Sequence, residues 1–264
     1  GMLPGGSAAC CEGTIAASNR SCATFDAPCK VPPPAPPATA CGDWPAQLRK
    51  DRPNVLLIGD SISMPPPFTP GGYGADVHTM LTNRSINVWH QGGWGRGGQA
   101  SNTMKGVRCT NATTPGNWLN FSGTYDVIHF NFGLHDLVDP GPGEGQEHVD
   151  LATYGANILE IYRRLAPRAK HVVWTTTTPC PNVTTSMGRT DAKVVSYNAR
   201  AAQALSGLPV AVDDLHSAVV GYCGKDYKSC DLQKPANVHF EPKGCQFLAD
   251  HVVKVITGLL SSPV

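Results

Sequence analysis

From residue 53 onward, short apolar runs alternate with longer segments in which apolar positions recur every three or four residues. The runs are continuous rather than alternating between apolar and polar positions, which is typical of parallel strands covered by helices on both faces. Five runs are predicted to form strands: 54–59 (NVLLIG), 86–90 (INVWH), 126–132 (DVIHFNF), 171–176 (HVVWTT) and 208–213 (LPVAVD).

Three of the longer segments have the period of amphipathic helices. Segment 150–166 begins at Asp150, a favourable N-cap, and segment 191–206 has a similar pattern. The last helix is predicted to begin at Pro242, a residue suited to a first helical turn. The apolar stripe of the first of these helices comprises Leu151, Tyr154, Ile158, Ile161 and Leu165. This alternation predicts an α/β protein, a three-layer α/β/α sandwich around a roughly five-stranded parallel sheet.

Residues 1–50 differ from the rest of the chain. They hold five of the ten cysteines together with the tract VPPPAPPATA, which favours a stiff polyproline conformation. The sequence therefore predicts a Cys/Pro-rich N-terminal extension and linker over 1–50, and one α/β domain over 51–264.

Composition narrows the class of protein. Lys+Arg number 21 against Asp+Glu 20, so no basic field exists to attract nucleic acid, and no apolar run is long enough to span a membrane. The cysteines lack the paired spacing of a zinc site. An even cysteine count and five Asn-x-Ser/Thr sequons favour a secreted, N-glycosylated, disulfide-bonded protein whose leader was removed, over an intracellular protein with free thiols. The five sequon asparagines are Asn19, Asn83, Asn111, Asn120 and Asn182.

Polar groups follow the predicted strands at the point where each one ends. Gly59-Asp60-Ser61 follows the first strand, the loop QGGWGRGGQASN follows the second, and Gly133-Leu134-His135-Asp136 follows the third. His239 lies just before the last helix, in ANVHF. Sites in open α/β sheets lie at the carboxyl ends of strands, so these groups are expected to converge. A hydroxyl, an imidazole and backbone amides are the groups that acyl transfer requires, although each motif alone also fits an ordinary turn.

The chain resembles the SGNH hydrolases, the GDSL-type esterases and lipases with a flavodoxin-like fold. The resemblance lies in the order of three motifs: GDSIS, then DVIHFNFGLHDL, then VHF followed by a helix. The resemblance covers about residues 53 to 260. It implies that Ser61 is the nucleophile and His239 the general base. It also implies an oxyanion hole formed by the Ser61 amide, a glycine amide in the second loop and a side chain of the third block. Gly98 is the predicted glycine, with Gly95 as the alternative, and neither a metal nor an organic cofactor is implied.

Two positions depart from the family pattern. His135 stands where the family has its oxyanion asparagine; a neutral imidazole can donate one N–H in its place, or His135 can simply hydrogen-bond Asp136 or a loop. Ala236 stands where the family has an aspartate three residues before the base. Asn237 or a backbone carbonyl is then the favoured group to orient His239. A carboxylate from a neighbouring loop, Asp231 or Asp214, is the alternative.

The sequence thus predicts a secreted serine ester hydrolase that removes small, acetyl-like O-acyl groups from carbohydrate. Lipid or thioester hydrolysis and acyl transfer are the alternatives within enzymes, and an inactive carbohydrate-binding module is the alternative of another class. The expected partner is a small-molecule or carbohydrate ester, and the sequence specifies no oligomeric state. A Cys223–Cys230 disulfide is predicted to fix the segment just before His239.

Overall fold

The structure is a computed structural model that describes residues 41, 47–64, 71–92, 102–119, 123–139, 148–181, 186–224 and 230–262. The chain divides into two units, Gly1–Pro37 and Ala38–Val264, and every described residue belongs to the second unit. Most of the predicted N-terminal extension, together with Gly95 and Gly98, lies outside the described residues.

Five parallel strands form a single sheet, which confirms the predicted fold class. The strands lie in the order β2-β1-β3-β4-β5. Their bounds are Asn54–Gly59 (β1), Asn87–Gly92 (β2), Tyr125–Phe130 (β3), Ala169–Thr175 (β4) and Ala211–Asp213 (β5). β1 has the predicted bounds, and all of its residues are buried. β5 is shorter than predicted at its start, where Pro209 supplies no N–H and Val210 donates instead to Leu208 within the preceding turn.

The described residues include six helices. Their bounds are Gly74–Thr82 (α1), Thr103–Thr110 (α2), Leu151–Leu165 (α3), Asp191–Leu205 (α4), Leu215–Cys223 (α5) and Pro242–Ser261 (α6). α1 packs beside α6, whereas α2, α3 and α4 pack side by side. The chain moves from β1 outward to β2 and then back across the sheet, and right-handed crossovers place α1 on the face opposite α2–α4. These are the three predicted layers.

The cap and apolar stripe of α3 follow the prediction closely. Oδ1 of Asp150 accepts hydrogen bonds from the backbone N–H groups of Ala152 (2.9 Å) and Thr153 (3.0 Å). The predicted stripe is buried except for Leu151, the first residue of the helix, which is exposed. The cap and the buried stripe together define where this helix begins and which face it packs.

The strand order places a crevice between the carboxyl ends of β1 and β3. The connections leave these adjacent strands in opposite directions, and ligands bind at such a switch point. Ser61 follows β1 and the Gly133–Asp136 turn follows β3. The fold therefore brings two of the predicted motifs to one crevice.

Two disulfides join described cysteines. Cys41 bonds Cys109 on α2, and Cys223 at the end of α5 bonds Cys230, which confirms the second pairing predicted from the sequence. Among the described residues, none of the helices combines the length and apolarity that crossing a membrane requires.

Candidate active site

Ser61 begins a short 3-10 helix, Ser61–Ser63, directly after β1. Asp60 caps this helix: its Oδ1 accepts a hydrogen bond from the Ile62 N–H at 2.9 Å. The Ser61 N–H has no partner within the helix because the first amides of a helix never do, so it can face a ligand. Gly59 is required by the tight turn, since a Cβ there would lie 2.4 Å from Ser63 Oγ.

His239 lies on a tight turn between α5 and α6. Gln233 and Phe240 form an antiparallel bridge that closes this turn, and the Lys234 N–H donates to the His239 carbonyl at 2.9 Å. Ala236, where the family has its aspartate, has a φ of 52°, in the left-handed region. The side chain that reaches His239 is that of the next residue, Asn237.

Ser61, His239 and Asn237 form a hydrogen-bonded relay. Ser61 Oγ lies 2.9 Å from His239 Nε2, and Asn237 Oδ1 lies 2.8 Å from His239 Nδ1. The same Oδ1 accepts the backbone N–H of His239 at 3.0 Å, so this atom is the amide oxygen and not its nitrogen. Nδ1 therefore carries the imidazole proton and Nε2 is the free acceptor facing Ser61. This is the tautomer that a general base requires.

The two alternative carboxylates are engaged elsewhere. Asp231 is exposed and accepts a hydrogen bond from Lys243 Nζ at 2.5 Å. Asp214 caps α5 and accepts from Thr176 Oγ1 at 3.0 Å. Within the described residues, no hydrogen bond joins either carboxylate to His239, and the side chain that hydrogen-bonds Nδ1 is the neutral amide of Asn237.

His239 is held uncharged by its surroundings. Burial lowers the pKa of His239 below its usual value, and the positive charges of Lys234 and Arg189 lower it further. A neutral imidazole can accept a proton at Nε2. An imidazolium formed in this way would have only the Asn237 amide oxygen behind it, not a carboxylate.

The Gly133–Asp136 turn carries His135 to the same crevice. The N–H groups of Asp136 and Leu137 both donate to the Gly133 carbonyl, at 2.9 and 3.1 Å. A Cβ on Gly133 would lie 2.0 Å from Thr177 Oγ1, so only glycine fits. The Asp136 carboxylate accepts from the N–H of Thr103 at 2.8 Å, which ties this turn to the start of α2.

The His135 imidazole is neutral and one of its nitrogens is buried. Burial lowers the pKa of His135 to about 3, and the charges of Arg189, His239 and Lys105 contribute in the same direction. Its Nδ1 is buried and, among the described residues, has no hydrogen-bond partner. Placing the ring proton on Nε2 avoids burying an unsatisfied N–H donor, which is the rarer arrangement in proteins.

Arg189 is a residue of this crevice that the sequence did not identify. It is 7% exposed, its Nε donates to the Leu134 carbonyl at 2.7 Å, and its charge acts on both imidazoles. A single arginine in a polar loop belongs to no periodic pattern or motif, so the sequence does not mark it as a site residue. Its burial in the structure does. In the part of the chain that the structure describes, no three His, Cys, Asp or Glu side chains are grouped as metal ligands would be.

No protein-family model and no curated protein matches the chain. Several solved structures are similar to the chain. A lipase/acylhydrolase from Enterococcus faecalis is 16% identical with a TM-score of 0.58, covering 78% of this chain and 96% of its own. An acetyl xylan esterase is 16% identical with a TM-score of 0.58 over 76% and 98%. An acetyl xylan esterase variant from Geobacillus stearothermophilus is 18% identical with a TM-score of 0.57 over 83% and 96%. The chain thus has the fold of the SGNH hydrolases, the GDSL-type lipases and esterases, as its motifs predicted.

Proposed function

We propose that the chain is a serine ester hydrolase in which Ser61 attacks an ester carbonyl and His239 acts as general base. The relay from Ser61 Oγ through His239 to Asn237 Oδ1 carries this proposal, because it fixes the imidazole in the base-competent tautomer. The shared fold supports acyl-hydrolase chemistry, since the similar structures are described as lipases, acylhydrolases and acetyl xylan esterases.

The reaction has two halves. Ser61 Oγ attacks the carbonyl carbon while its proton passes to His239 Nε2, and the bond to the leaving alkoxide breaks as Nε2 returns that proton to it. Asn237 Oδ1 holds the Nδ1–H throughout. A water molecule, deprotonated by His239, then attacks the acyl-enzyme, and the carboxylic acid leaves as the proton returns to Ser61 Oγ.

The oxyanion hole of this proposal has three donors. The Ser61 N–H is free of intrahelical partners, and a neutral His135 with its proton on Nε2 supplies a side-chain donor in place of the family's asparagine. The amide of Gly98, in the loop after β2, is the third proposed donor. Each such donor stabilises the negative charge that develops on the carbonyl oxygen in the transition state.

The proposed substrate is a small O-acyl group on carbohydrate, and the proposed location is outside the cell. Two of the similar structures are described as acetyl xylan esterases, which supports short-chain, sugar-linked esters. The two disulfides support an oxidising compartment. Asn83, a sequon asparagine at the end of α1, is exposed and accessible to glycosylation.

An inactive carbohydrate-binding protein with the same fold is the second candidate. Its support is the neutral Asn237, which leaves the imidazolium without a counter-charge, and the replacement of the oxyanion asparagine by His135. A fluorophosphonate probe distinguishes the two candidates. We expect it to label Ser61 in the folded wild type and in Ser63→Ala. The Ser63→Ala control removes a different hydroxyl from the same short helix. We expect no labelling of Ser61→Ala.

Absence of labelling in folded wild-type protein would reject the nucleophile and favour the binding protein. Nitrophenyl esters of increasing acyl length then test the substrate class. We expect acetate to be preferred and acetylated xylo-oligosaccharides to be deacetylated. Rates that rise steeply beyond short acyl chains would identify a lipid or thioester hydrolase, and transfer of the acyl group to an added sugar would identify an acyltransferase.

A further inference from the structure

The Arg189 side chain is buried beneath the proposed active site without belonging to the relay. Arginine is almost never fully buried unless its guanidinium is paired. Here Nε donates to the carbonyl of Leu134, a residue 55 positions away in the sequence, and the Asp60 carboxylate favours the guanidinium charge. A buried cation near the proposed nucleophile and base suggests that Arg189 acts on the site and does more than fill space.

The segment that delivers Arg189 is attached to the turn after β3 at a second point. Met187 and Gly188 have positive φ values of 65° and 62°, and the Asp139 N–H donates to the Met187 carbonyl at 2.8 Å. Lys193 Nζ bridges Asp139 Oδ1 (3.0 Å) and the Gly188 carbonyl (2.8 Å). The left-handed pair at 187–188 and this bridge hold Arg189 in one position against the turn.

The contact with Leu134 acts directly on His135. The Leu134 carbonyl belongs to the peptide bond that leads into His135, so the hydrogen bond from Arg189 fixes the plane from which the imidazole projects. On the other side of His135, the Asp136 carboxylate is held by the Thr103 N–H at 2.8 Å. The imidazole is therefore held between two anchored neighbours, and Arg189 supplies one of the anchors.

The charge of Arg189 faces four titratable groups: Asp60 after β1, His135 after β3, Cys180 after β4 and His239 before α6. It favours ionised Asp60 and disfavours protonated His135 and His239. His239 also faces Lys234, and His135 also faces Lys105. Burial is the main cause of the lowered pKa of each imidazole, and these positive charges add to it.

We propose that Arg189 is a positioning residue of the esterase site, which anchors the Leu134–His135 peptide so that His135 faces the developing oxyanion. Its positive charge adds to the effect of burial on the two imidazoles. This inference rests on the proposed function. It assigns two separable roles to one side chain, a hydrogen bond and a charge, and substitutions separate them.

Arg189→Met removes both roles, whereas Arg189→Lys keeps the charge and loses the planar donor. For Arg189→Met we expect kcat/KM on nitrophenyl acetate to fall about 10- to 100-fold, as when a transition-state donor is misplaced. We also expect the acid limb of the pH profile to move to higher pH, because losing a nearby cation raises the pKa of His239. For Arg189→Lys we expect a similar fall in kcat/KM with the acid limb unmoved.

Arg164→Met is the matched control. Arg164 also donates to a main-chain carbonyl, that of Val107, but on the α2–α3 contact away from Ser61. We expect it to lower stability and to leave kcat/KM and the pH profile unchanged. If Arg189→Met lowers only the melting temperature and leaves kcat/KM and the acid limb as in the wild type, Arg189 is structural and the inference is wrong.

Histidine ring NMR titration tests the charge role without turnover. We expect the pKa values of His135 and His239 to rise in Arg189→Met and to stay in place in Arg189→Lys and Arg164→Met; unchanged values in Arg189→Met would overturn the charge role. Failure of the proposed function has a different signature, since wild type would then neither hydrolyse esters nor react with fluorophosphonate, while the NMR titration would still decide whether Arg189 acts on the imidazoles.

Discussion

One oxygen atom determines the protonation pattern of the proposed relay. Asn237 Oδ1 accepts both the backbone N–H and the Nδ1–H of His239, at 3.0 and 2.8 Å. An aspartate at this position would make the same two contacts and add a negative charge behind the imidazole. Asn237 supplies the orientation of a catalytic triad without its charge. This difference predicts that activity is limited by the unpaired imidazolium.

Asn237→Asp is expected to increase activity. A carboxylate behind Nδ1 stabilises the imidazolium by roughly 1.4 kcal/mol, the equivalent of about one pKa unit and a tenfold rate increase, a modest value because Asn237 is exposed. The pKa of His239 rises toward its ordinary value, so the acid limb of kcat/KM shifts to higher pH while the plateau increases. Stopped-flow or steady-state pH profiles on nitrophenyl acetate measure both effects.

Two variants control this experiment. Asn111→Asp makes the same change at the far end of α2 and should alter neither the plateau nor the limb. Asn237→Ala removes the acceptor and should lower kcat. A plateau and limb that are identical in Asn237→Asp and wild type would show that Asn237 does not act on Nδ1.

A side chain that lies inside a recognisable motif could be predicted from the sequence. A side chain that bonds a distant backbone carbonyl could not. Asn237 was identified because it lies two residues before a histidine in a recognisable motif. Arg189 was missed because it bonds a backbone carbonyl 55 residues away, and every residue carries such a carbonyl. The left-handed φ of Ala236 could not be predicted from the sequence either. It precedes Asn237, whose side chain, and not that of residue 236, contacts the imidazole.

At the scale of elements, the turn after β3 is joined to α2 through Asp136. Its Oδ1 accepts the Thr103 N–H and Oγ1–H at the start of α2, while its Oδ2 is buried with no hydrogen-bond partner among the described residues. Burial raises the pKa of Asp136 to about 7, although the Thr103 hydrogen bonds oppose this shift. The link between the two elements therefore depends on a carboxyl group whose ionisation is unfavourable in the folded state.

Asp136→Asn is expected to remove a pH dependence of stability. In wild type the folded pKa is raised, so the unfolded chain ionises first as pH rises above about 4, and stability decreases until the folded group ionises near pH 7. The shift of about three units corresponds to roughly 4 kcal/mol. The asparagine retains the oxygen that accepts from Thr103. Between pH 4 and 7, the free energy of unfolding of the variant should therefore increase relative to that of wild type, by up to this amount.

Urea denaturation at several pH values measures this difference. Asp150→Asn is the contrasting control, because hydrogen bonds from Thr153 and Ala152 lower the pKa of Asp150 at the α3 cap. Its carboxylate stabilises the fold above the unfolded pKa, so this variant should lose stability relative to wild type as pH rises toward about 4 and keep a constant deficit above that pH. The same sign for both variants would contradict the burial argument for Asp136.

Elements with strong patterns were predicted closely, and weakly patterned ones were not. β1 and α3 carry a continuous apolar run and a long stripe, and both lie where the sequence placed them. α1 was not predicted because it buries only Gly74, Val77 and Leu81, too few for a stripe. β5 lost its first predicted residues because Pro209 cannot donate to a neighbouring strand.

For the whole molecule, the two disulfides constrain the unfolded chain very differently. Cys41–Cys109 spans 68 residues and ties the segment before β1 to α2, whereas Cys223–Cys230 spans 7. The Trp118 indole N–H also donates to the Cys41 carbonyl at 3.0 Å, so the first bond lies within a packed contact. Loop-closure entropy grows with the logarithm of the length enclosed, so the longer loop should contribute more stability.

We expect Cys41→Ala/Cys109→Ala to lower the free energy of unfolding by about 4 kcal/mol and Cys223→Ala/Cys230→Ala by about 2.5 kcal/mol. Urea denaturation of the two double variants at one pH gives both values. Because neither bond touches Ser61 or His239, both variants should hydrolyse nitrophenyl acetate while folded. A larger loss for the short loop than for the long one would be inconsistent with the entropic account.

The sequence separation of 178 positions between Ser61 and His239 has a consequence for how the molecule is made. The proposed nucleophile leaves the ribosome long before the proposed base, and the two meet only after all five strands have been synthesised. A nascent or truncated chain that ends before His239 carries the serine without the group that activates it. Ester hydrolysis should therefore appear late in refolding, after the helical signal has recovered, because long-range contacts form slowly. In the proposed enzyme, turnover would therefore report that the segment carrying His239 has docked, and a folding intermediate would leave the ester intact.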